Sequence, residues 1–203
     1  MSSPPRLTPR TRRTFVALAC AGPLLWLIVA IAQGDLGANP VERITHTTGA
    51  WTLRFLVLTL AVTPLRRATG WQGIAPYRRT LGLWTFAYAL LHFATYALLD
   101  LGLDLGALGE DLRERPYIMV GFAAFTILTL LAATSNRGAV RRLGKSWRKL
   151  HLLVYAAGIL GVLHFFWLVK ADLREPAIYA AAVALLLGAR LRGLLSARRL
   201  ARG

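Results

Sequence analysis

The chain has 203 residues, 56% of them hydrophobic, with a mean hydropathy of +0.49, which is too much apolar surface for one soluble core of this size. Its 25 Lys and Arg against 9 Asp and Glu give a formal net charge of +16; in a soluble domain that balance would point to nucleic acid, in a membrane protein to loop topology. The single cysteine, Cys20, excludes a disulfide framework, a Cys-x-x-Cys-His covalent attachment and a thiolate cluster, so any cofactor is expected to be held non-covalently.

Residues 1–13 carry Arg6, Arg10, Arg12 and Arg13 among prolines and serines and read as a disordered basic tail. A membrane-spanning helix needs about 20 mostly apolar residues. Six stretches meet that length: roughly 14–33, 46–64, 80–99, 117–134, 149–169 and 176–195. Helix-stopping residues punctuate the connections: Gly34 to Pro40, Pro64, Pro76, Pro116, Asn136 with Gly138, and Pro176. No linker divides 14–195, so the expected fold is all-α, one six-helix transmembrane bundle, followed by a basic C-terminal tail at 196–203. The first span is longer than the apolar core of a cleavable signal and is expected to be retained.

Charge sets the orientation of those spans. The N-terminal tail, the 65–79 loop (Arg66, Arg67, Arg78, Arg79), the 135–149 loop (Arg137, Arg141, Arg142, Lys145, Arg148, Lys149) and the C-terminal end (Arg190, Arg192, Arg198, Arg199, Arg202) hold 19 of the 25 basic residues. Those segments alternate with the ones that carry every acidic residue: Asp35 and Glu42, then Asp100, Asp104, Glu110, Asp111 and Glu114, then Asp172 and Glu175. Under the positive-inside rule both termini are cytoplasmic. The basic charge is therefore topology, and nucleic acid is excluded as a partner; membrane lipid takes its place.

All four histidines lie in or at the edge of apolar spans, where ionisable groups are costly and mark functional positions. His92 is some twelve residues into span 3, about 18 Å from the inner edge at 1.5 Å per residue. His164 is some fifteen residues into span 5, at a similar outer depth. Neutral imidazole is a standard ligand of haem iron, and two of them from facing helices at one depth suit a flat macrocycle. The plainer reading of each is an intramembrane histidine bonded to a neighbouring helix. Zinc is the weaker metal reading, because no Cys, Asp or Glu accompanies these histidines inside the spans.

His151 stands near the inner edge, beside Arg148 and Lys149, and His46 at the outer mouth of span 2. Thirteen residues of ideal helix turn His164 about 140° from His151, so the two are not expected on one face. Arg54 is the charge deepest in a span; it reads either as a partner of a haem propionate or as a side chain snorkelling to the outer interface. Aromatic residues including Trp84, Phe86, Tyr88, Phe93, Tyr96, Tyr155, Phe165, Phe166 and Trp167 are candidates for pocket lining or for packing and interfacial belts.

Three stretches carry a family resemblance. Arg79-Thr-Leu-Gly-Leu-Trp-Thr-Phe-Ala-Tyr88 with Leu91-His92 and Tyr96 to Asp100 resembles the third helix of the MsrQ (YedZ) haem-binding subunits of the periplasmic protein-methionine-sulfoxide reductase system. Trp147-Arg-Lys-Leu-His151-Leu-Leu-Val-Tyr155 with Leu163-His164-Phe-Phe-Trp167 resembles their fifth, and Ile44-Thr-His46-Thr-Thr-Gly49 with Leu60-Ala-Val-Thr-Pro64-Leu-Arg66 their second. The resemblance runs over nearly the whole chain from about residue 14.

It implies a ferric-reductase-like transmembrane domain in a bacterial inner membrane that binds haem b, takes electrons from the quinone pool and delivers them to a periplasmic molybdopterin-dependent catalytic subunit. It also implies flavin mononucleotide, for which no residue of the sequence offers a site. The wider superfamily, with the NADPH oxidases, pairs two histidines on each of two helices; here span 3 has His92 alone, and Arg78 and Arg79 fall where its inner partner would stand. His151 is thus either one ligand of a second, inner haem or an interfacial histidine at a quinone headgroup.

The alternative function is a ferric reductase or NADPH-oxidase-like subunit fed by a separate flavin dehydrogenase, since no glycine-rich phosphate loop follows the sixth span. A transporter is disfavoured, because no acidic residue lies inside a span for ion coupling.

Overall fold

The computed structural model describes residues 8–169 and 171–200, with side chains for all of these except Pro9 and residues 193–200. Helix α1 spans Pro9–Gln33. The Thr8 hydroxyl accepts the Thr11 N–H at 3.2 Å and Pro9 opens the first turn, a start signal strong enough to draw residues 9–13 of the expected disordered tail into the helix. Residues 1–7 lie outside the described residues.

Helix α2 spans Pro40–Thr69 and is capped by Asn39, whose side-chain oxygen accepts the Glu42 N–H. Pro64, expected to end this span, sits inside the helix; it costs one hydrogen bond, and Gly70 in the left-handed region (φ 69°) ends the helix instead. A 3₁₀ turn at Gln72–Ile74 leads into α3 (Tyr77–Thr95), which passes directly into a π-helical turn, Tyr96–Asp100.

The acidic loop after it contains a short helix, α4 (Leu105–Glu114), because Asp104 accepts the N–H groups of Gly106 and Ala107 at 2.7 and 3.1 Å. Then follow α5 (Pro116–Ala133), the short α6 (Arg137–Leu143) and α7 (Lys145–Leu150) in the basic loop, α8 (Leu153–Leu168) and α9 (Arg174–Leu200). Helix α9 runs past the expected boundary at 195, and residues 201–203 lie outside the described residues.

Among the described residues, five helical stretches are long and apolar enough to cross a membrane: Arg10–Gln33, Pro40–Thr69, Gln72–Asp100, Pro116–Ala133 and Lys145–Leu168. The sixth expected span falls on α9, whose described side chains stop at Arg192. Apolar side chains such as Leu25, Leu58, Ile159 and Leu185 face outward, as lipid contact requires.

Two helical hairpins, α2 with α3 and α5 with α8, form the body of the bundle. They meet in a core of Leu53, Leu56 and Leu60 against Leu128, Val154 and Ala157, with Val183 of α9 closing it. Cys20, Phe55 and Tyr88 seat α1 against the first hairpin, and the buried Tyr88 hydroxyl donates to the Cys20 carbonyl at 3.1 Å. The buried threonines Thr48, Thr59, Thr85 and Thr95 each donate to a carbonyl one turn earlier, so no hydroxyl among them enters the apolar interior unpaired.

Candidate functional site

The two hairpins enclose a cavity of about 1170 Å³ that extends to the acidic-loop end of the bundle. It exceeds the roughly 300–1,000 Å³ of ordinary small-molecule sites, as a large planar ligand would need. Phe93, Phe122, Phe125 and Phe165 supply apolar wall, and Asp111, Arg115, Asp172 and Glu175 line it at the acidic end.

His92 of α3 and His164 of α8 face each other across this space, their ring centroids 6.1 Å apart and their planes at 80°. His92 Nδ1 lies 2.9 Å from the Thr45 carbonyl on α2, and His164 Nδ1 lies 2.7 Å from the Tyr117 carbonyl on α5. A carbonyl only accepts, so both contacts require the proton on Nδ1. That tautomer puts the lone pair of each ring on Nε2, the arrangement of a metal-ligating histidine oriented by a backbone acceptor.

The spacing fits one metal between the rings. A metal–imidazole bond of about 2 Å on each side, plus roughly 1 Å from ring nitrogen to ring centre, would put the centroids of two imidazoles sharing one metal at most about 6 Å apart. Two oriented neutral imidazoles at that separation, in an aromatic-walled cavity of this size, fit a haem whose iron His92 and His164 would hold.

The other sequence candidates occupy different places. His46 lines the same cavity but is half-exposed, 3.9 Å from the Glu42 carboxylate one turn back. Arg54 also lines it: its Nε–H donates to the Tyr179 hydroxyl of α9 at 3.2 Å, its other nitrogen lies 3.9 Å from Glu175, and the guanidinium sits 4.8 Å over the Trp51 ring. These contacts aim it along the cavity wall toward α9.

His151 is at the opposite, basic-loop end and is not brought to the other histidines. Its ring stacks on Trp147 at 3.9 Å, its Nδ1 lies 3.1 Å from the Trp147 carbonyl, and its Nε2 lies 3.4 Å from the Ser135 hydroxyl. Arg79 donates to the carbonyl of the same Ser135 at 2.8 Å. The ideal-helix angle between His151 and His164 does not apply, because α7 ends and α8 begins around His151 and Leu152. The break lies at the histidine itself.

Of the aromatic candidates, Phe93, Tyr96 and Phe165 line the cavity, while Trp84 and Tyr88 pack under α1 and Phe86, Tyr155 and Phe166 join the core. Sequence reasoning missed the carbonyls of Thr45 and Tyr117, since a backbone acceptor has no residue signature. It also missed the network in which the Tyr96 hydroxyl donates to the buried Asp111 carboxylate at 2.5 Å, with Arg115 paired to the same carboxylate at 3.2 Å. A carboxylate one turn before an arginine was the available signal.

Residues 48–162 match the family of ferric reductase like transmembrane components. The chain is 49% identical over 193 residues to a protein-methionine-sulfoxide reductase heme-binding subunit MsrQ of Xanthomonas euvesicatoria pv. vesicatoria, covering 92% of this chain and 88% of that one. It is 50% identical over 182 residues to the MsrQ of Xanthomonas oryzae pv. oryzae, covering 90% and 84%, and 48% identical over 194 residues to that of Ralstonia nicotianae, covering 93% and 89%.

Proposed function

This chain belongs to the MsrQ family of haem-binding subunits within the ferric-reductase-like transmembrane components, and from that premise we propose that it is the electron-carrying membrane subunit of a protein-methionine-sulfoxide reductase, with one haem b held between His92 and His164. The observation that carries the proposal is the facing pair of imidazoles, 6.1 Å apart, each with its Nδ1 proton committed to a backbone carbonyl. Bound haem supplies a one-electron carrier whose potential is set by axial ligands, hydrogen bonding and burial.

The chain's own residues do the rest. The Thr45 and Tyr117 carbonyls hold the rings in one tautomer and raise the basicity of Nε2. Phe93, Phe122 and Phe165 line the cavity and would shield a haem held there from water. Arg54 places a positive charge on the cavity wall, where it favours a propionate and the reduced state. At the basic-loop end His151 and Ser135 form a polar pair suited to a quinol hydroxyl, and electrons leave at the acidic end toward a periplasmic molybdopterin-dependent catalytic subunit. This orientation rests on the basic loops being cytoplasmic.

Haem-to-protein stoichiometry, with low-temperature EPR of the oxidised protein, tests the pair. Haem content collapses in His92→Ala and in His164→Ala, and the double variant loses little more because the two act as one site. A His92→Ala protein with full stoichiometry and an unchanged low-spin signal overturns the proposal.

A further inference from the structure

The two imidazoles are held by matching halves. His92 and His164 each reach a carbonyl 47 residues earlier in the chain, Thr45 on α2 and Tyr117 on α5. One helical turn after each acceptor is a glycine, Gly49 and Gly121, and the imidazole lies directly over it. The tripeptides agree too, Leu91-His92-Phe93 and Leu163-His164-Phe165. Carbonyl, glycine and histidine therefore recur in one register on two helical hairpins.

The glycines lie where any larger residue would meet the ring. A Cβ at Gly121 would lie 2.6 Å from His164 Nδ1 and 2.8 Å from its Cε1. A Cβ at Gly49 would lie 3.0 Å from His92 Cε1 and 3.1 Å from its Nδ1. Both contacts are with the edge of the ring that makes the carbonyl hydrogen bond. The ring is stiff and its Nδ1–H is tied down, so relief requires turning the imidazole and losing that bond.

Neither glycine is explained by the backbone. Both are in helical segments of α2 and α5 without positive φ, where alanine is intrinsically favoured by about 1 kcal/mol. We propose that Gly49 and Gly121 are positioning residues that seat the two imidazoles against the Thr45 and Tyr117 carbonyls and so fix the near-perpendicular setting of the ligand planes. The inference rests on the haem reading above.

The test is the optical and EPR spectrum of the ferric protein with Gly49→Ala, Gly121→Ala and, as a control on the His92 helix outside the cavity lining, Gly82→Ala. At Gly82 a Cβ meets only the Thr59 methyl, at 3.7 Å. The control is expected to match the parent protein. Gly121→Ala is expected to convert most of the low-spin signal to high-spin or to lose haem. Gly49→Ala, with the looser contact, is expected to keep haem and shift its largest g value, since that value follows the angle between axial imidazole planes.

Far-ultraviolet dichroism and elution as a single species establish folding for each variant. If Gly121→Ala does not fold, the g-value shift of Gly49→Ala decides alone. Parent-like low-spin spectra in the folded alanine variants overturn the inference while leaving the haem reading intact. A parent protein that takes up no haem overturns the haem reading and this inference with it.

Discussion

Arg54 of α2 donates its Nε–H to the Tyr179 hydroxyl of α9, 125 residues away, at 3.2 Å. With Trp51 beneath the guanidinium and Glu175 at 3.9 Å, the side chain is braced on three sides and still lines the cavity. Removing its charge disfavours the added electron of a reduced haem. Arg54→Gln is therefore expected to lower the midpoint potential, read by redox titration of the haem bands. Tyr179→Phe keeps the charge and is expected to cost about 1 kcal/mol of stability, below the usual value for a hydrogen bond to a charged group because the site is partly exposed. An unchanged potential in Arg54→Gln would reduce Arg54 to a link between helices.

Asp111 anchors α4 through Tyr96 and Arg115. Replacing it by Ala strips the Tyr96 hydroxyl of its acceptor and is expected to cost about 2 kcal/mol, mostly local to α4. Amide exchange across residues 105–114 should then speed up by roughly thirty-fold while the spans stay protected. Uniform protection before and after the change would show that the network does not hold this helix.

His151 and His46 should separate from the cavity pair. His151 has Trp147 and Ser135 as neighbours at the basic end, with Arg79 bonded to the same serine. His151→Ala is expected to keep full haem content and lose quinol oxidation, measured with a soluble quinol analogue; loss of part of the haem would establish a second, inner haem. His46→Ala is expected to keep haem with at most a small spectral shift, because its ring is half-exposed beside Glu42.

Docking of the catalytic partner should depend on Glu110 and Glu114, which are exposed on α4. Asp104 and Asp111 belong to the same acidic loop but cap and anchor the helix, so changing them would confuse docking with folding. Glu110→Gln with Glu114→Gln is expected to slow partner reduction several-fold at low salt and little at high salt, as charge complementarity acts mainly on association rate. Equal rates at both ionic strengths would move the docking surface elsewhere.

Orientation is testable with reporter fusions after Asp104 and after Arg142. Alkaline phosphatase is expected to be active at the first and inactive at the second. Activity at Arg142 would invert the assigned direction of electron flow.

Five of the six spans, the charge alternation and the common depth of His92 and His164 were legible in the chain because each depends on local quantities: run length, rise per residue and side-chain charge. The same reasoning misplaced the end of α2 at Pro64, since one missing hydrogen bond does not stop a helix whose cap, Gly70, comes later. It also treated His151 and His164 as points on one ideal helix, whereas the chain breaks around His151.

What no linear pattern contains is the pairing across hairpins. Thr45 orients His92 and Tyr117 orients His164 through backbone oxygens that every residue possesses, and Gly49 and Gly121 matter only because an imidazole from another helix lies on them. Arg54 is likewise a lone charge in the linear chain, and only the packing of α9 brings Tyr179 and Glu175 against it. Burial depth is a property of one helix and follows from its sequence, but ring orientation is a property of two packed helices and exists only once they meet.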